Sequence, residues 1–288
     1  MTSPTPPATV LLATDLTPRS DRALERSAQL ANEWQAELTA LHVLEKANSP
    51  DQVLAWASGG DDSTLQAEAQ LQLGRDLADL ACSRRLMVAR ADSPADSIRQ
   101  VASDHHCGLI VVGATGNDTF GRFFPGSVVE RLAGAVPLLL VVRNRVHGPY
   151  QRIVVASDFS SASGQALRQA SELFSGRELT LYHAYPLPAS GNGNRDNNEI
   201  EHQLARQTLP AFLVASGLPN SVIIKPVLEN GVLESMLAHY VRQHAIDLVV
   251  MGSRGGGGMM DVLLGRSATK LLDWLPCDLL IVGIDQAT

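Results

Sequence analysis

Short apolar runs alternate with longer amphipathic stretches along the chain, and the whole alternation occurs twice. Continuous runs of four or five apolar residues, such as Leu109–Val112 and Leu248–Met251, are typical of strands buried on both faces of a parallel sheet. Helix-length segments lie between such runs, for example Ser20–Glu33 and Ser161–Phe174. The pattern therefore predicts βαβ units and an α/β fold.

The same landmarks recur in the two halves of the chain. Val10–Asp15 (VLLATD) corresponds to Ile153–Asp158 (IVVASD) at an offset of 143 residues. From Gly113 and its counterpart Gly252 onward the offset stays at 139 residues. Small length changes in loops explain the drift, because loops tolerate insertions and deletions. This self-similarity predicts a duplicated domain.

The boundary between the copies is predicted in a polar stretch, Arg143–Arg152, that contains Gly148 and Pro149. We therefore predict one domain over residues 1–147 and a second over residues 148–288.

Two segments at matching places in the copies are rich in Gly, Asn, Ser and Asp. They are Lys46–Ser63 and Pro186–Asn198. This composition predicts loops or disorder rather than helices or strands.

Several candidate binding residues of the first copy stand at the ends of predicted strands. Asp15 follows the first strand, and Gly113 ends a later one. His42 and Val43 lie at the end of the strand between them. Because ligands of open parallel sheets bind at the carboxyl ends of the strands, we expect a binding site there.

Gly113 also opens a spaced glycine motif, Gly113-x2-Gly116-x9-Gly126-Ser127. Glycines allow the backbone to approach a phosphate closely and to form an anion nest. Ser127 precedes a predicted helix, Val128–Ala133, where a hydroxyl caps the helix and the helix dipole favours an anion. The alternative is that Gly113 and Gly116 are ordinary turn glycines.

Composition and charge exclude several classes of protein. The 288 residues are 45% hydrophobic and 18% charged, with a formal net charge of −7. Such a chain has ample material for a core but no dense basic run, which argues against a nucleic-acid partner. Its apolar runs are far shorter than the roughly 20 residues of a membrane helix, so no membrane insertion is predicted. No signal peptide is apparent, and the three cysteines lack CxxC spacing, so we expect a cytoplasmic protein without a metal site.

From Val10 to Val282 the chain resembles the universal stress protein family in its tandem, two-domain form. ATP-binding members carry G-x2-G-x9-G-[S/T] after the fourth strand, and the first copy matches every position. The resemblance implies an α/β fold with two tandem Rossmann-like domains of the adenine nucleotide α-hydrolase-like class. Each domain would be a five-stranded parallel sheet in the order 3-2-1-4-5 with helices on both faces.

The resemblance also implies a ligand, ATP with or without Mg²⁺, and a role for each part of the site. Asp15 would lie near the ribose and adenine, the backbone of Val43 would contact the adenine edge, and the glycine loop would hold the phosphates. The implied function is a stress response protein that works as a nucleotide-dependent switch. The two copies would pack as an internal pseudo-dimer, and the association of whole chains into a homodimer is left open.

The second copy departs from the family pattern at one position. It keeps the glycine spacing, but Arg266 replaces the Ser/Thr and Ser267 follows one residue later. Arg266 would either contact a phosphate or fill the pocket. The predicted nucleotide-binding residues are Thr14, Asp15, Val43, Gly113, Gly116, Gly126, Ser127 and Val128 in the first copy, and Asp158, Ala184, Gly252, Gly255, Gly265, Arg266 and Ser267 in the second.

No catalytic residues are predicted. The sequence contains neither a G-x4-GK[ST] P-loop nor a GxSxG nucleophile elbow. We therefore expect no enzyme, or at most very slow ATP hydrolysis. The alternatives are a scaffold that binds no nucleotide and acts through protein contacts, and a nucleotide-processing enzyme such as an adenylyl-transfer relative.

Structural roles are open for several of these polar residues. Asp15 and Asp158 are alternatively helix caps. His42 and His183 are expected to be packed, hydrogen-bonded histidines rather than catalytic ones. His105–Cys107 is interpreted as a helix end, where a cationic histidine is favourable, rather than as a metal site.

Overall fold

The computed structural model describes residues 6–45, 62–114, 128–185, 200, 203–219, 221–253 and 266–283. Its described residues form two compact units, one from residue 7 to residue 149 and the other from residue 150 onward. The predicted loop segments fall largely outside the described residues, except that residues 62 and 63 already belong to a helix.

The first unit alternates strands and helices in the predicted order. A 3₁₀ turn at Pro18–Ser20 leads into its first helix. Its elements are β1 (Thr9–Thr14), α1 (Asp21–Trp34), β2 (Glu37–Glu45), α2 (Asp62–Asp76), β3 (Arg84–Ala91), α3 (Pro94–Asp104), β4 (Leu109–Gly113), α4 (Val128–Ala133) and β5 (Leu138–Val142).

The second unit repeats this alternation. A π-helical turn at Leu204–Thr208 precedes its second helix. Its elements are β6 (Ile153–Ala156), α5 (Ser161–Leu173), β7 (Leu179–Tyr185), α6 (Leu209–Ala215), β8 (Ile224–Asn230), α7 (Leu233–Gln243), β9 (Leu248–Gly252), α8 (Arg266–Trp274) and β10 (Asp278–Val282).

Both units have the predicted sheet topology. The strands of the first unit lie in the order β3-β2-β1-β4-β5, and those of the second in the order β8-β7-β6-β9-β10. The strand pairs within each unit are parallel. In each unit the first strand is central, so its carboxyl end lies between those of the second and fourth strands. The α/β class and the order 3-2-1-4-5 are thereby confirmed.

The core of each unit consists of the continuous apolar strands. β4 and β5 are buried along their whole length, as expected for strands covered on both faces. No helix among those described combines the length and the apolar character that crossing a bilayer requires.

One strand of the second unit begins with a buried acid that the apolar pattern does not predict. Asp278 is fully buried at the start of β10, and its Oδ2 accepts a hydrogen bond of 2.6 Å from the hydroxyl of Tyr150, which is 1% exposed. The Tyr150 ring packs edge-on against Phe174 with a centroid distance of 5.8 Å. A buried carboxylate is stable only when it is paired, and Tyr150 supplies one partner.

Asp247 fastens the approach to β9 onto the start of β6. Its Oδ2 accepts from the backbone N–H groups of Gln151 (3.0 Å) and Arg152 (2.8 Å), and its Oδ1 accepts from the Arg152 guanidinium (3.0 Å). Burial by itself raises the pKa of this carboxyl, but the hydrogen bonds from Arg152 and Gln151 outweigh it and hold the pKa below its ordinary value.

Replacing Asp247 by asparagine should lower the unfolding free energy of the second unit by about 1–2 kcal/mol at neutral pH. Because the folded-state pKa is depressed, the carboxylate stabilises the fold fully above the unfolded pKa of about 3.9 and loses this effect as the pH falls through the folded value. Hydrogen exchange of β6 amides at pH 7, 5 and 3 tests this. The difference from the native chain should shrink below about pH 4, and a constant difference would contradict the assignment.

Candidate functional site

An open pocket lies at the carboxyl ends of β1, β2 and β4 in the first unit, with a cavity volume of about 180 Å³. We call it the strand-end pocket. Five predicted binding residues, from four elements or their ends, line this pocket: Thr14, Asp15, Val43, Gly113 and Val128. The structure thus brings together residues that are up to 114 positions apart in the sequence.

Asp15 stabilises the turn that leads out of β1. Its Oδ1 accepts hydrogen bonds from the backbone N–H of Thr17 (3.0 Å), the hydroxyl of Thr17 (2.8 Å) and the hydroxyl of Ser20 (2.6 Å). Helix α1 begins only at Asp21, with Ser20 at its N-cap position. The carboxylate therefore shapes the loop before the helix, and its interpretation as a helix cap is wrong.

Asp158 has the corresponding place in the second unit. Its Oδ1 accepts from the backbone N–H of Ser160 at 3.0 Å and also from the Ser160 hydroxyl. The cap of α5 is Ser160, whose Oγ accepts from the N–H of Ser163 at 3.3 Å. For Asp158, too, the capping interpretation is wrong, because the carboxylate orients the residue that caps the helix.

The residue after each aspartate adopts a left-handed backbone conformation. The φ angles are 59° at Leu16 and 61° at Phe159, which is uncommon for residues other than glycine. In both units a hydroxyl two residues earlier accepts from this residue's N–H at 3.0 Å, Thr14 for Leu16 and Ser157 for Phe159. Strained backbone of this kind clusters at ligand sites. No sequence signal indicated it, since neither residue is Gly, Asn or Asp.

The histidines at the ends of β2 and β7 are held by the backbone. Nδ1 of His42 donates to the carbonyl oxygen of Thr14 at 2.9 Å, and Nδ1 of His183 donates to that of Ser157 at 2.7 Å. The carbonyl oxygen can only accept, so it fixes the proton on Nδ1. The expectation of packed, hydrogen-bonded histidines is confirmed.

The glycines that end β4 and β9 are required by helix packing. A Cβ at Gly113 would lie 3.3 Å from the carbonyl oxygen of Arg19. A Cβ at Gly252 would lie 3.0 Å from the carbonyl oxygen of Ala162, at the start of α5. These contacts let the helix start approach the strand end closely, which gives these two glycines a structural reason apart from any phosphate.

The helix that follows the glycine loop is tied to the preceding helix in both units. In the first unit Arg131 of α4 pairs with Asp96 of α3 at 3.0 Å. In the second, Lys270 of α8 pairs with Glu234 of α7 at 3.5 Å. Equivalent ion pairs thus position α4 and α8 beside the strand ends.

Part of the predicted site lies outside the described residues. Gly116, Gly126 and Ser127 belong to this part in the first unit, and Gly255 and Gly265 in the second. Their role in binding stays a prediction. Arg266 and Ser267 lie in the first turn of α8.

The remaining predicted residues of the second unit end their strands as expected. Ala184 lies near the end of β7, Gly252 ends β9, and Asp158 follows β6. An aromatic group lies beside them: the Phe159 ring is 4.3 Å from the His183 ring and 5.3 Å from the Phe212 ring. The first unit has Leu16 in place of Phe159, so the two sites differ in their side chains.

The segment interpreted as a helix end begins directly after α3. His105 follows the last helical residue, and its Nδ1 accepts a hydrogen bond of 2.7 Å from Arg85. His106 has a left-handed φ of 51°. Over the described ranges, His, Cys, Asp and Glu side chains do not form a group of three or more able to hold a metal ion.

The strand-end pocket has the composition that a nucleotide requires. Apolar side chains of Ile98, Val112 and Val129 supply walls for a base, and Thr14 and Asp15 place hydroxyl and carboxylate oxygens at the rim. Ligand pockets typically combine an apolar lining with a few convergent polar groups. The described residues therefore fit a base and a sugar.

Comparisons with known proteins agree with this architecture. The family model described as "Universal stress protein family" matches residues 8–143 and 149–283. The universal stress protein A homolog 1 of Coxiella burnetii is 26% identical over 146 residues, which are 48% of this chain and 99% of that protein.

Solved structures of whole-chain length have the same fold. A universal stress protein from Archaeoglobus fulgidus superposes with a TM-score of 0.69 at 18% identity, over 98% of this chain and 99% of that one. A protein of unknown function from Pseudomonas aeruginosa PAO1 gives a TM-score of 0.61 at 17% identity, over 97% and 93%. Since the family model matches nearly the whole length in two successive stretches, the chain belongs to the universal stress protein family and carries its domain twice.

Proposed function

We propose that this protein binds an adenine nucleotide, ATP with or without Mg²⁺, in the strand-end pocket of its first unit. The observation that carries the proposal is the convergence on one pocket of Thr14, Asp15, Val43, Gly113 and Val128, which the sequence motif singles out separately. The base would lie against the apolar wall near Val43. The phosphates would extend toward the glycine motif that begins at Gly113.

The protein would act as a nucleotide-dependent switch in a stress response rather than as an enzyme. Phosphoryl transfer needs a positioned water and a countercharge for the transition state, and no P-loop lysine is present in the sequence. Ligand occupancy would instead bias the glycine loop and α4, which the Arg131–Asp96 pair connects to α3. We place this action in the cytoplasm, which is consistent with the free thiols of Cys82, Cys107 and Cys277.

Binding is tested first on the purified native chain. Mass spectrometry of the denatured protein should detect co-purified ATP or ADP. Millimolar ATP should raise the melting temperature, because a ligand that binds only the folded state stabilises it. If no nucleotide co-purifies and titration detects no binding, the scaffold that acts through protein contacts is favoured instead.

Combining Gly116→Val with Ser127→Ala should weaken ATP binding at the first unit at least about tenfold, since the changes remove a close backbone approach and a hydroxyl donor. Equilibrium dialysis with labelled ATP measures the loss. The matched control combines Gly255→Val with Ser267→Ala in the second unit and should leave that affinity unchanged. Equal losses in both double variants would contradict the placement in the first unit.

A further inference from the structure

The second unit carries a carboxylate at the strand ends where the first unit has none. Glu229 lies near the end of β8 and pairs in register with Ala184 of β7. The corresponding pair in the first unit is Ala89 of β3 with Val43 of β2. Val43 lines the strand-end pocket. Glu229 is therefore the neighbour of the position that corresponds to a pocket residue.

Glu229 is held in place by a buried phenol. The hydroxyl of Tyr182 donates to Oε2 of Glu229 at 2.6 Å, and Tyr182 is fully buried. The Tyr182 ring packs against Tyr240 of α7 at a centroid distance of 5.1 Å. Burial, together with Glu229, raises the pKa of Tyr182 well above its ordinary value, so the phenol remains a donor. A carboxylate has about four acceptor positions, and the tyrosine uses one of them.

The orientation of Glu229 follows from this bond and from the alternation of side chains in strands. Tyr182 contacts α7, so it lies on the sheet face that α7 covers. Glu229 bonds to Tyr182 and is itself half-buried, so it shares that face and remains accessible. In the first unit the corresponding face, next to α3, forms the wall of the strand-end pocket, with Leu41 at the place of Tyr182.

The distance across the sheet separates a base end from a phosphate end. β8 lies three strands away from β9, which is about 14 Å at the usual strand spacing. The glycine loop follows β9, so phosphates held there would place the base of the same nucleotide near β7 and β8. Ala184 is also smaller than Val43, which leaves room for a ring beside Glu229.

We propose that the second unit binds a guanine nucleotide, with the base recognised by the carboxylate of Glu229. The inference rests on the proposed function, namely that strand ends in this chain hold nucleotides. The Watson–Crick edge of guanine presents two adjacent N–H donors, N1–H and N2–H, which a carboxylate accepts together. Adenine presents a single amino donor beside the acceptor N1, and this acceptor faces an anion unfavourably. Charge-assisted hydrogen bonds of this kind are about twice as strong as neutral ones.

The experiment compares GTP and ATP binding to the full chain that carries Gly116→Val and Ser127→Ala, so that the second unit dominates. GTP should bind more tightly than ATP. Adding Glu229→Gln should weaken GTP binding roughly ten- to a hundredfold, since one charge-assisted acceptor is lost and an amide donor opposes the guanine donors. ATP binding should stay unchanged or tighten, because an amide donor suits adenine N1.

A matched control variant keeps the same change of charge at another place. Glu178→Gln alters an exposed carboxylate just before β7, at the opposite end of the strand. It should leave both affinities unchanged. If it weakens GTP binding as much as Glu229→Gln does, long-range charge explains the effect and the proposal is overturned.

A gain-of-function variant keeps the test decisive even if Glu229→Gln misfolds. Ala89→Glu in the otherwise native chain places the carboxylate in the first unit and should shift its preference from ATP toward GTP. If ATP binds to the first unit while neither Ala89→Glu nor Glu229→Gln changes base preference, the guanine assignment fails and the proposed function stands. If the native chain binds neither nucleotide, both fail together.

Discussion

Replacing Tyr150 by alanine is expected to lower the unfolding free energy of the second unit by about 3–5 kcal/mol, since truncation of a buried aromatic side chain leaves a cavity. The ring packs edge-on against Phe174, and its hydroxyl satisfies the fully buried Asp278. Because the chain has two units, a single unfolding midpoint is not well defined. Hydrogen exchange of β10 and α5 amides, resolved by mass spectrometry, measures the second unit separately.

Two phenylalanine substitutions isolate the hydrogen bond from the ring. Tyr150→Phe and Tyr182→Phe each remove one tyrosine–carboxylate bond of 2.6 Å. Asp278 is fully buried, whereas Glu229 is half-buried. An acceptor left without its partner costs about 1–3 kcal/mol when buried and less when water reaches it. Tyr150→Phe should therefore be the more damaging change, and the reverse order would contradict this account.

Replacing Gly252 by alanine is expected to destabilise the second unit by about 1–3 kcal/mol through overpacking. The new Cβ would lie 3.0 Å from the carbonyl oxygen and 3.1 Å from the carbonyl carbon of Ala162. Both atoms belong to the backbone at the start of α5 and cannot turn aside. Hydrogen exchange of β9 amides measures the change.

Gly113→Ala is the matched substitution in the first unit. Its Cβ would meet the Arg19 carbonyl oxygen at 3.3 Å, so a small shift of the turn relieves the contact. We expect a smaller loss, below about 1 kcal/mol. If Gly113→Ala destabilises the first unit as much as Gly252→Ala destabilises the second, close packing does not set the cost.

The sequence predicts the strands and their order well because each buried strand is a continuous apolar run. The duplication strengthens every assignment, since Gly113 and Gly252, 139 residues apart, both end a strand. The helix ends are nearly as accurate: the segment predicted over Ser161–Phe174 forms a helix at Ser161–Leu173.

Contacts between distant residues are not predictable in this way. The Tyr182–Glu229 bond joins positions 47 apart and depends on the register of β7 with β8. Asp278 lies in an apolar run, yet its partner Tyr150 is 128 residues away. A pattern of apolar positions identifies which face is buried, but it does not specify which polar groups meet there.

The choice between Asp158 and Ser160 as helix cap is a local case. Both residue types are favoured at N-caps, and they stand two positions apart. The left-handed Phe159 between them decides the matter, because it turns the chain so that Ser160 Oγ reaches the N–H of Ser163. Propensity alone cannot distinguish these neighbours.

The left-handed turn after β1 also offers a place for a reporter. Leu16 and Phe159 have nearly the same φ although their side chains differ, so this position accepts a change of side chain without a change of backbone course. Leu16 is adjacent to Asp15, which lines the strand-end pocket. A cysteine at position 16, labelled with an environment-sensitive dye after the three native cysteines are replaced, would register ligand entry optically in the first unit alone.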